Sequence, residues 1–97
     1  MKSIFITFDQ AYLEQILPIL SINHVRGYTE WETVKGKGSK TGEPHLGSHA
    51  WPSQNSSILT VVEDEKVKPI LANLRTLDAT SQQMGLRAFV WNIEDGM

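Results

Sequence analysis

Apolar and polar residues alternate at the start of this chain. From Ser3 to Phe8, the apolar residues Ile4, Ile6 and Phe8 occupy every second position. This period of two predicts a β-strand that is apolar on at least one face. Asp9 follows and suits the N-cap of a helix, because its carboxylate can accept hydrogen bonds from the next backbone amides.

The period then changes to that of a helix. Leu13, Ile16, Leu17 and Leu20 recur at three- and four-residue spacing and predict one apolar helical stripe. Pro18 lies inside this stripe and should bend the helix or end it early, because proline donates no backbone hydrogen bond.

The rest of the chain repeats a similar plan. Charged residues between Tyr28 and Lys35 suit a strand at a sheet edge, whereas the apolar run Ile58 to Val62 suits a central strand covered on both faces. The pattern predicts strands over residues 28–35, 58–62 and 86–93, and a helix from Asp64 or Glu65 to Gly85, with Pro69 near its first turn.

The predicted order is strand, helix, strand, loop, strand, helix, strand. Right-handed crossovers would place both helices on one face of a four-stranded antiparallel sheet, which is the α+β, ferredoxin-like βαββαβ fold. A chain of 97 residues fits a single domain over residues 1–97. The sheet face without helices would carry members of the set Phe5, Trp31, Leu59, Val61, Phe89 and Trp91, and we expect an oligomer partner to cover it.

Composition narrows the function classes. The chain is 40% hydrophobic and 21% charged, which favours a folded domain. A net charge of -2 and a pI near 5.8 oppose a nucleic-acid-binding surface. There are no cysteines for disulfides or thiolate metal sites. The apolar runs are too short to cross a membrane and no signal peptide is evident, so we expect a cytoplasmic protein.

A long glycine- and proline-rich segment, residues 39–55, separates the second and third predicted strands. The stretch from Lys35 to Asn55 contains three lysines and one glutamate, so its formal charge is 3 − 1 = +2, and the rest of the chain carries −4. Loops of this length are commonly functional. A basic loop on an acidic body suits an acidic partner surface or an anionic ligand.

Four residues are candidates for phosphate binding. Gly36, Lys37 and Gly38 could present backbone amides and one ammonium group to a phosphate, although a strand-ending turn explains the same glycines. Arg87 follows a glycine at the start of the fourth strand, and its guanidinium suits a phosphate. An exposed strand arginine paired with a carboxylate is the alternative.

The loop also carries two histidines four residues apart. His45 and His49 could bind a metal ion if His24 or Glu43 completed the site, although two solvent-exposed loop histidines are the simpler interpretation. Trp51 either packs against its own assembly or anchors a partner protein.

Three segments in this order carry a family resemblance: "VKGKG" (Val34 to Gly38), "SILTVVEDEKVKPIL" (Ser57 to Leu71) and "GLRAFV" (Gly85 to Val90). Together with the order of elements, they resemble the PII-type signalling proteins (nitrogen regulatory protein P-II). The resemblance implies a homotrimer that binds ATP, ADP or AMP in clefts between subunits and is not an enzyme. It also implies that a T-loop between strands two and three contacts a target protein such as a transporter or an enzyme.

The resemblance assigns roles to particular residues. It places Gly36, Lys37, Gly38 and Arg87 at the nucleotide, and it makes the loop with Lys40, His45, His49 and Trp51 the partner-binding element. Ser39 replaces a usual basic residue, "SQQMG" is shorter than the family's phosphate-binding loop, and the basic C-terminal segment is missing after Met97. We therefore expect weaker nucleotide binding than in typical members.

Two other functions fit the same fold. One is a divalent-metal-responsive binding protein with the same trimeric architecture. The other is a small ferredoxin-like enzyme in which His24, His45 or His49 acts as a general base.

Overall fold

The computed structural model describes residues 1–35, 54–80 and 85–97. Their elements are β1 (Lys2–Asp9), a 3-10 turn (Gln10–Tyr12), α1 (Leu13–Ile22), β2 (Thr29–Val34), β3 (Asn55–Val62), a second 3-10 turn (Asp64–Lys66), α2 (Val67–Thr80) and β4 (Arg87–Asn92). The strands form one antiparallel sheet in the order β2-β3-β1-β4. The predicted ferredoxin-like arrangement is confirmed. None of the helices in the described ranges is long and apolar enough to span a membrane.

The core lies between the two helices and one face of the sheet. Alternate residues of β1 point into it, which confirms the period-two prediction. Each fully buried side chain of this size contributes about 1.5–3 kcal/mol relative to exposure. The buried apolar residues are Ile4, Ile6, Phe8, Tyr12, Ile16, Leu20, Ile58, Val62, Ile70, Leu74 and Leu86.

Asp9 caps the first helical segment as predicted, because its Oδ1 accepts a hydrogen bond from the backbone amide of Ala11 at 2.8 Å. Of the two effects expected of Pro18, a bend or an early end of the helix, the early end is wrong. The helix continues four residues beyond Pro18, to Ile22. Pro18 faces solvent, so its ring is accommodated without displacing core side chains.

The third strand begins earlier than its polar sequence indicates. Asn55, which the sequence placed in the loop, and Ser56 and Ser57, which it left outside the strand, are buried in β3. Burial of the Ser56 hydroxyl is offset by its hydrogen bond to the carbonyl O of Glu32 in β2, at 2.6 Å. The predicted strand start at Ile58 therefore missed three residues whose polar groups sit within the sheet.

The second helix also begins later than predicted. Asp64 and Glu65 belong to the 3-10 turn, and Glu63 occupies its N-cap position. Pro69 is the third residue of α2, where its missing N–H removes no intrahelical hydrogen bond. Before β4, Gly85 has a φ of 74°, a conformation that favours glycine.

Candidate functional site

The sheet face opposite the helices, called here the helix-free face, is apolar and open. Phe5 is the cross-strand partner of both Leu59 and Phe89, and its ring lies edge-on to Trp31 with centroids 6.4 Å apart. The six residues predicted for this face all lie on it: Phe5, Trp31, Leu59, Val61, Phe89 and Trp91.

Four of these side chains are strongly exposed. Trp31 and Val61 are each 44% exposed, Trp91 is 48% exposed and Phe89 is 57% exposed. β3 is a central strand, as predicted, whereas no described residue covers Val61 on its second face, so the cover of that face by an oligomer partner stays a prediction. Contiguous exposed apolar surface of this kind marks an interaction surface.

One end of the sheet carries the stems of the long loop. β1 ends there at Asp9, β2 ends at Val34, β3 begins at Asn55 and β4 begins at Arg87, and we call it the loop end. The candidates Gly36, Lys37, Gly38, Lys40, His45, His49 and Trp51 lie outside the described residues.

Gln10 holds both stems of the loop. Its backbone amide donates to the carbonyl O of Gln54 at 2.6 Å, and its side-chain Nε2 donates to the carbonyl O of Glu32 at 2.9 Å. The residues that lead into α1 thus fix the two points between which residues 36–53 run.

Arg87 is the one candidate phosphate ligand among the described residues. Its Nη1 donates to the carbonyl O of Leu86 at 2.7 Å, so the guanidinium folds back over its own strand. It lies at the rim of a cavity of about 210 Å³ between α2 and β4, together with Arg75 and Asp78.

Arg87 and Val34, the last residue of β2, lie at the same end of the sheet but on opposite edges. Three strand spacings separate β4 from β2, which is about 14 Å. Within one chain, Arg87 is therefore not adjacent to Val34, the last residue of β2.

A second cavity, of about 330 Å³, lies towards the other end of the sheet, where the α1–β2 and β3–α2 connections meet. Sequence reasoning missed this cavity, because its residues come from two separate connections; the basic pair His24 and Arg26 before β2 was the available signal. Its lining residues are His24, Val25, Arg26, Gly27, Val61, Val62, Glu63 and Lys66.

Lys66 joins the two connections. Its Nζ donates to the carbonyl O of His24 at 2.7 Å and lies 3.2 Å from Glu63 Oε2. The pKa of Glu63 lies below its usual value of 4.5. The largest cause is a hydrogen bond from the backbone amide of Glu63 to its carboxylate, and the second is the Lys66 ammonium. The Arg26 guanidinium also lines this cavity and contributes, after Lys66, to lowering the pKa of Glu63.

His24 has a structural role here. Its φ is 57°, its amide donates to the carbonyl O of Ser21 at 3.0 Å, and the Val25 amide donates to the carbonyl O of Leu20 at 2.9 Å. This pair of hydrogen bonds is a Schellman motif that ends α1. No group of three histidine or acidic side chains able to hold a metal occurs in residues 1–35, 54–80 and 85–97.

The fold and this face define a ferredoxin-like α+β domain whose sheet has one apolar side exposed in a single chain. The chain belongs to the nitrogen regulatory protein P-II family, whose model matches residues 1–97. No curated protein matches the sequence.

Solved structures share the fold. CPII from Thiomonas intermedia K12, solved with ADP and bicarbonate, is 25% identical; the match covers 95% of this chain and 84% of that one, with a TM-score of 0.78. A second CPII structure, with ADP, AMP and bicarbonate, is 24% identical over 95% and 84% of the two chains, with a TM-score of 0.79. A PII-like signaling protein from Thermus thermophilus is 21% identical over 95% and 85%, with a TM-score of 0.67.

Proposed function

We propose that this protein is a non-enzymatic PII-like regulator that assembles as a homotrimer and binds an adenine nucleotide between its subunits. The observation that carries the proposal is the family match over residues 1–97. CPII from Thiomonas intermedia, which was solved with ADP, supports the choice of ligand.

The helix-free face supports assembly. Its aromatic side chains are exposed in one chain, and burying them against other copies removes apolar area from water at about 25 cal/mol per Å². Three copies with their sheets turned inward would cover the face of each one, which fits the trimers expected of this family.

Arg87 is proposed as a phosphate ligand, together with Gly36, Lys37 and Gly38. A guanidinium presents several donors to phosphate oxygens, and β2, after which Gly36 to Gly38 follow in the sequence, ends at the same end of the sheet as Arg87. The separation between the two sheet edges in one chain favours a site at a subunit boundary, because a neighbouring protomer can bring further groups close to Arg87.

The cavity of about 330 Å³ that Arg26 lines, called here the Arg26 cavity, is proposed to bind the adenine base of a nucleotide whose phosphates lie on a neighbouring protomer. Val25 and Val61 supply apolar walls, and the Arg26 guanidinium can stack on a purine ring. Arg26 and Arg87 approach opposite edges of the sheet, more than about 15 Å apart by strand geometry. One nucleotide that contacts both would therefore lie between two chains.

Calorimetry with ADP tests the nucleotide site. Wild-type protein should bind ADP, and Arg87→Ala should weaken binding by about one to two orders of magnitude, since a charge-assisted hydrogen bond is lost. Arg26→Ala should weaken it by about two- to fivefold. Lys68→Ala is the matched control, because it removes an exposed cation of α2 that lines neither cavity.

The outcomes separate the parts of the proposal. Wild-type affinity in Arg87→Ala removes Arg87 from the site, and an absence of ADP binding by the wild-type protein overturns the nucleotide function.

The segment between the stems is proposed to contact the target protein, a transporter or an enzyme with an acidic surface. The net charge of +2 from Lys35 to Asn55 is the observation behind this choice of partner. Deleting residues 40–50 leaves Gln10 and both of its stem contacts in place, so the fold and ADP binding should be retained. Affinity capture from the host with wild-type and deleted protein tests whether a target is lost.

A further inference from the structure

The helix-free face changes character along β1. Strand alternation places Phe5, Thr7 and Asp9 on this face, so it is apolar near its middle and polar at the loop end. The cross-strand partners of Thr7 are Ser57 in β3 and Arg87 in β4. The loop end of the face therefore carries hydroxyl groups together with a guanidinium and a carboxylate.

Asp9 and Arg87 are diagonal neighbours on this face. Arg87 pairs with Thr7, and Asp9 lies two residues further along β1 on the same side of the sheet. Diagonal neighbours in adjacent strands are about 7–8 Å apart, which is within the reach of an arginine side chain. The negative charge of Asp9 consequently acts on any ligand that the Arg87 guanidinium binds.

The Asp9 carboxylate is held in place and shielded from water. Asp9 is 4% exposed, and its Oδ1 accepts a hydrogen bond from the backbone amide of Ala11. Asn55, the cross-strand partner of Asp9, is also buried, and its Oδ1 accepts no hydrogen bond from any described residue. The group opposite Asp9 is thus another buried acceptor. Charges act more strongly on one another where water is excluded, so this carboxylate influences its surroundings more than an exposed one would.

We infer that Asp9 is a specificity-determining residue that opposes the binding of additional phosphate groups at Arg87. The inference rests on the proposed nucleotide function and extends it. An anion held by Arg87 lies in the field of the Asp9 carboxylate, and each further phosphate adds a repelled charge. The carboxylate therefore lowers the affinity for ATP more than for ADP, and the affinity for ADP more than for AMP.

Asp9→Asn tests the inference, because it removes the charge and keeps an oxygen that can cap the turn. Calorimetry with AMP, ADP and ATP in the absence of Mg²⁺ measures the effect. Binding should tighten by about twofold for AMP, about three- to fivefold for ADP and about five- to tenfold for ATP, the scale of a unit charge several ångströms away. A purely structural role of Asp9 would change the three affinities by the same factor.

Asp95→Asn is the matched control. It makes the same chemical change at an exposed position beyond the opposite end of β4 from Arg87, and it should bind all three nucleotides as the wild type does. Thermal unfolding of both variants checks that the fold is retained.

The Nε–Hε resonance of Arg87 supplies a readout that needs no nucleotide. In proton–nitrogen NMR spectra of the free protein, this resonance should differ between the wild type and Asp9→Asn. It should be unchanged in Asp95→Asn.

The outcomes separate this inference from the proposed function. Equal or weaker nucleotide binding by Asp9→Asn, a gain of the same size for all three nucleotides, or an unchanged Arg87 resonance would overturn the inference, and ADP binding by the wild type would then leave the proposed function standing. Nucleotide binding by Asp9→Asn alone supports the inference and contradicts the proposed function. An absence of binding by both proteins contradicts both.

Discussion

His24 shows how a single residue can hold a turn in a conformation that costs stability. Its φ of 57° places its backbone in the left-handed region, and His24 is the one non-glycine residue with positive φ in the described parts of the chain. The Schellman hydrogen bonds and the Lys66 contact to its carbonyl keep it there.

Replacing His24 with glycine should therefore stabilise the protein. Removing the Cβ relieves about 1–2 kcal/mol of strain in the folded state. Glycine also gives the unfolded chain more conformational entropy, which offsets part of this stabilisation, so the free energy of unfolding should rise by about 1 kcal/mol. Urea unfolding at constant pH measures it. His24→Ala is the matched control, because it keeps the Cβ; an equal gain in that variant would assign the effect to the imidazole instead.

Glu63 and Asp64 make stability depend on acid pH. The pKa of Glu63 is lowered by its own backbone amide and by Lys66, and the pKa of Asp64 is lowered by the chain's N-terminal ammonium, 3.0 Å away. Because the folded pKa values lie below the unfolded ones, their stabilisation is present above the usual values of 4.5 and 3.8 and is lost as pH falls through the folded values.

Unfolding midpoints measured from pH 6 to pH 2.5 should decline mainly below about pH 4.5. Glu63→Gln should reduce the loss of stability that begins near pH 4.5, because this variant has no carboxylate to protonate at position 63. Carboxyl NMR of the Lys66→Met variant should show a higher pKa for Glu63 than in the wild type; an unchanged value would remove Lys66 as a cause.

At the level of elements, Pro18 marks a weak point in α1. It stands in the sixth position of the helix, where the backbone lacks the N–H that would donate to the carbonyl O of Glu14. The helix persists because Ile16 and Leu20, on either side of the proline, are buried in the core. Tertiary packing here outweighs local preference.

Pro18→Ala should stabilise the protein by about 2 kcal/mol. An interior proline costs about 3 kcal/mol relative to alanine, and its loss returns up to about 1 kcal/mol of chain entropy to the unfolded state. Thermal and urea unfolding measure the change. Ser21→Ala, an exposed substitution in the same helix, should change stability by only a few tenths of a kcal/mol. Destabilisation by Pro18→Ala would mean that the backbone conformation imposed by the proline ring is needed for packing.

The sequence predicted the order and type of the elements, because a period of two is visible within Ile4 to Phe8 alone and a helical period within Leu13 to Leu20 alone. It did not predict that Asn55, Ser56 and Ser57 lie in β3, because these polar residues are buried by pairing with neighbouring strands, where the Ser56 hydroxyl donates to the carbonyl O of Glu32. The Arg26 cavity and the α2–β4 cavity were missed for a similar reason. Each combines residues far apart in the chain that become neighbours only when the elements pack.

At the scale of the whole molecule, Phe89 tests the assembly. Its side chain is 57% exposed on the helix-free face of one chain, so Phe89→Lys should leave the fold of each chain nearly unchanged. In a trimer the same lysine would be forced into an apolar interface, where an unpaired charge is strongly unfavourable. Light scattering should give the mass of three chains for the wild type and of one chain for the variant.

Ala72→Lys is the control for that experiment. It adds the same charge at an exposed position of α2 on the opposite side of the molecule, and its mass should equal that of the wild type. A wild-type protein with the mass of one chain at micromolar concentration would contradict the trimer, and a trimeric Phe89→Lys variant would show that a different surface holds the subunits together.

The indoles on the helix-free face have an optical consequence. Trp31 and Trp91 are both nearly half exposed in a single chain, and Trp31 meets the edge of Phe5. An indole that leaves water emits at shorter wavelength, so the emission maximum of a Trp51→Phe protein should move to the blue as its concentration rises. The protein would then report its own association by its fluorescence, without a label, down to dilutions at which scattering is too weak to measure.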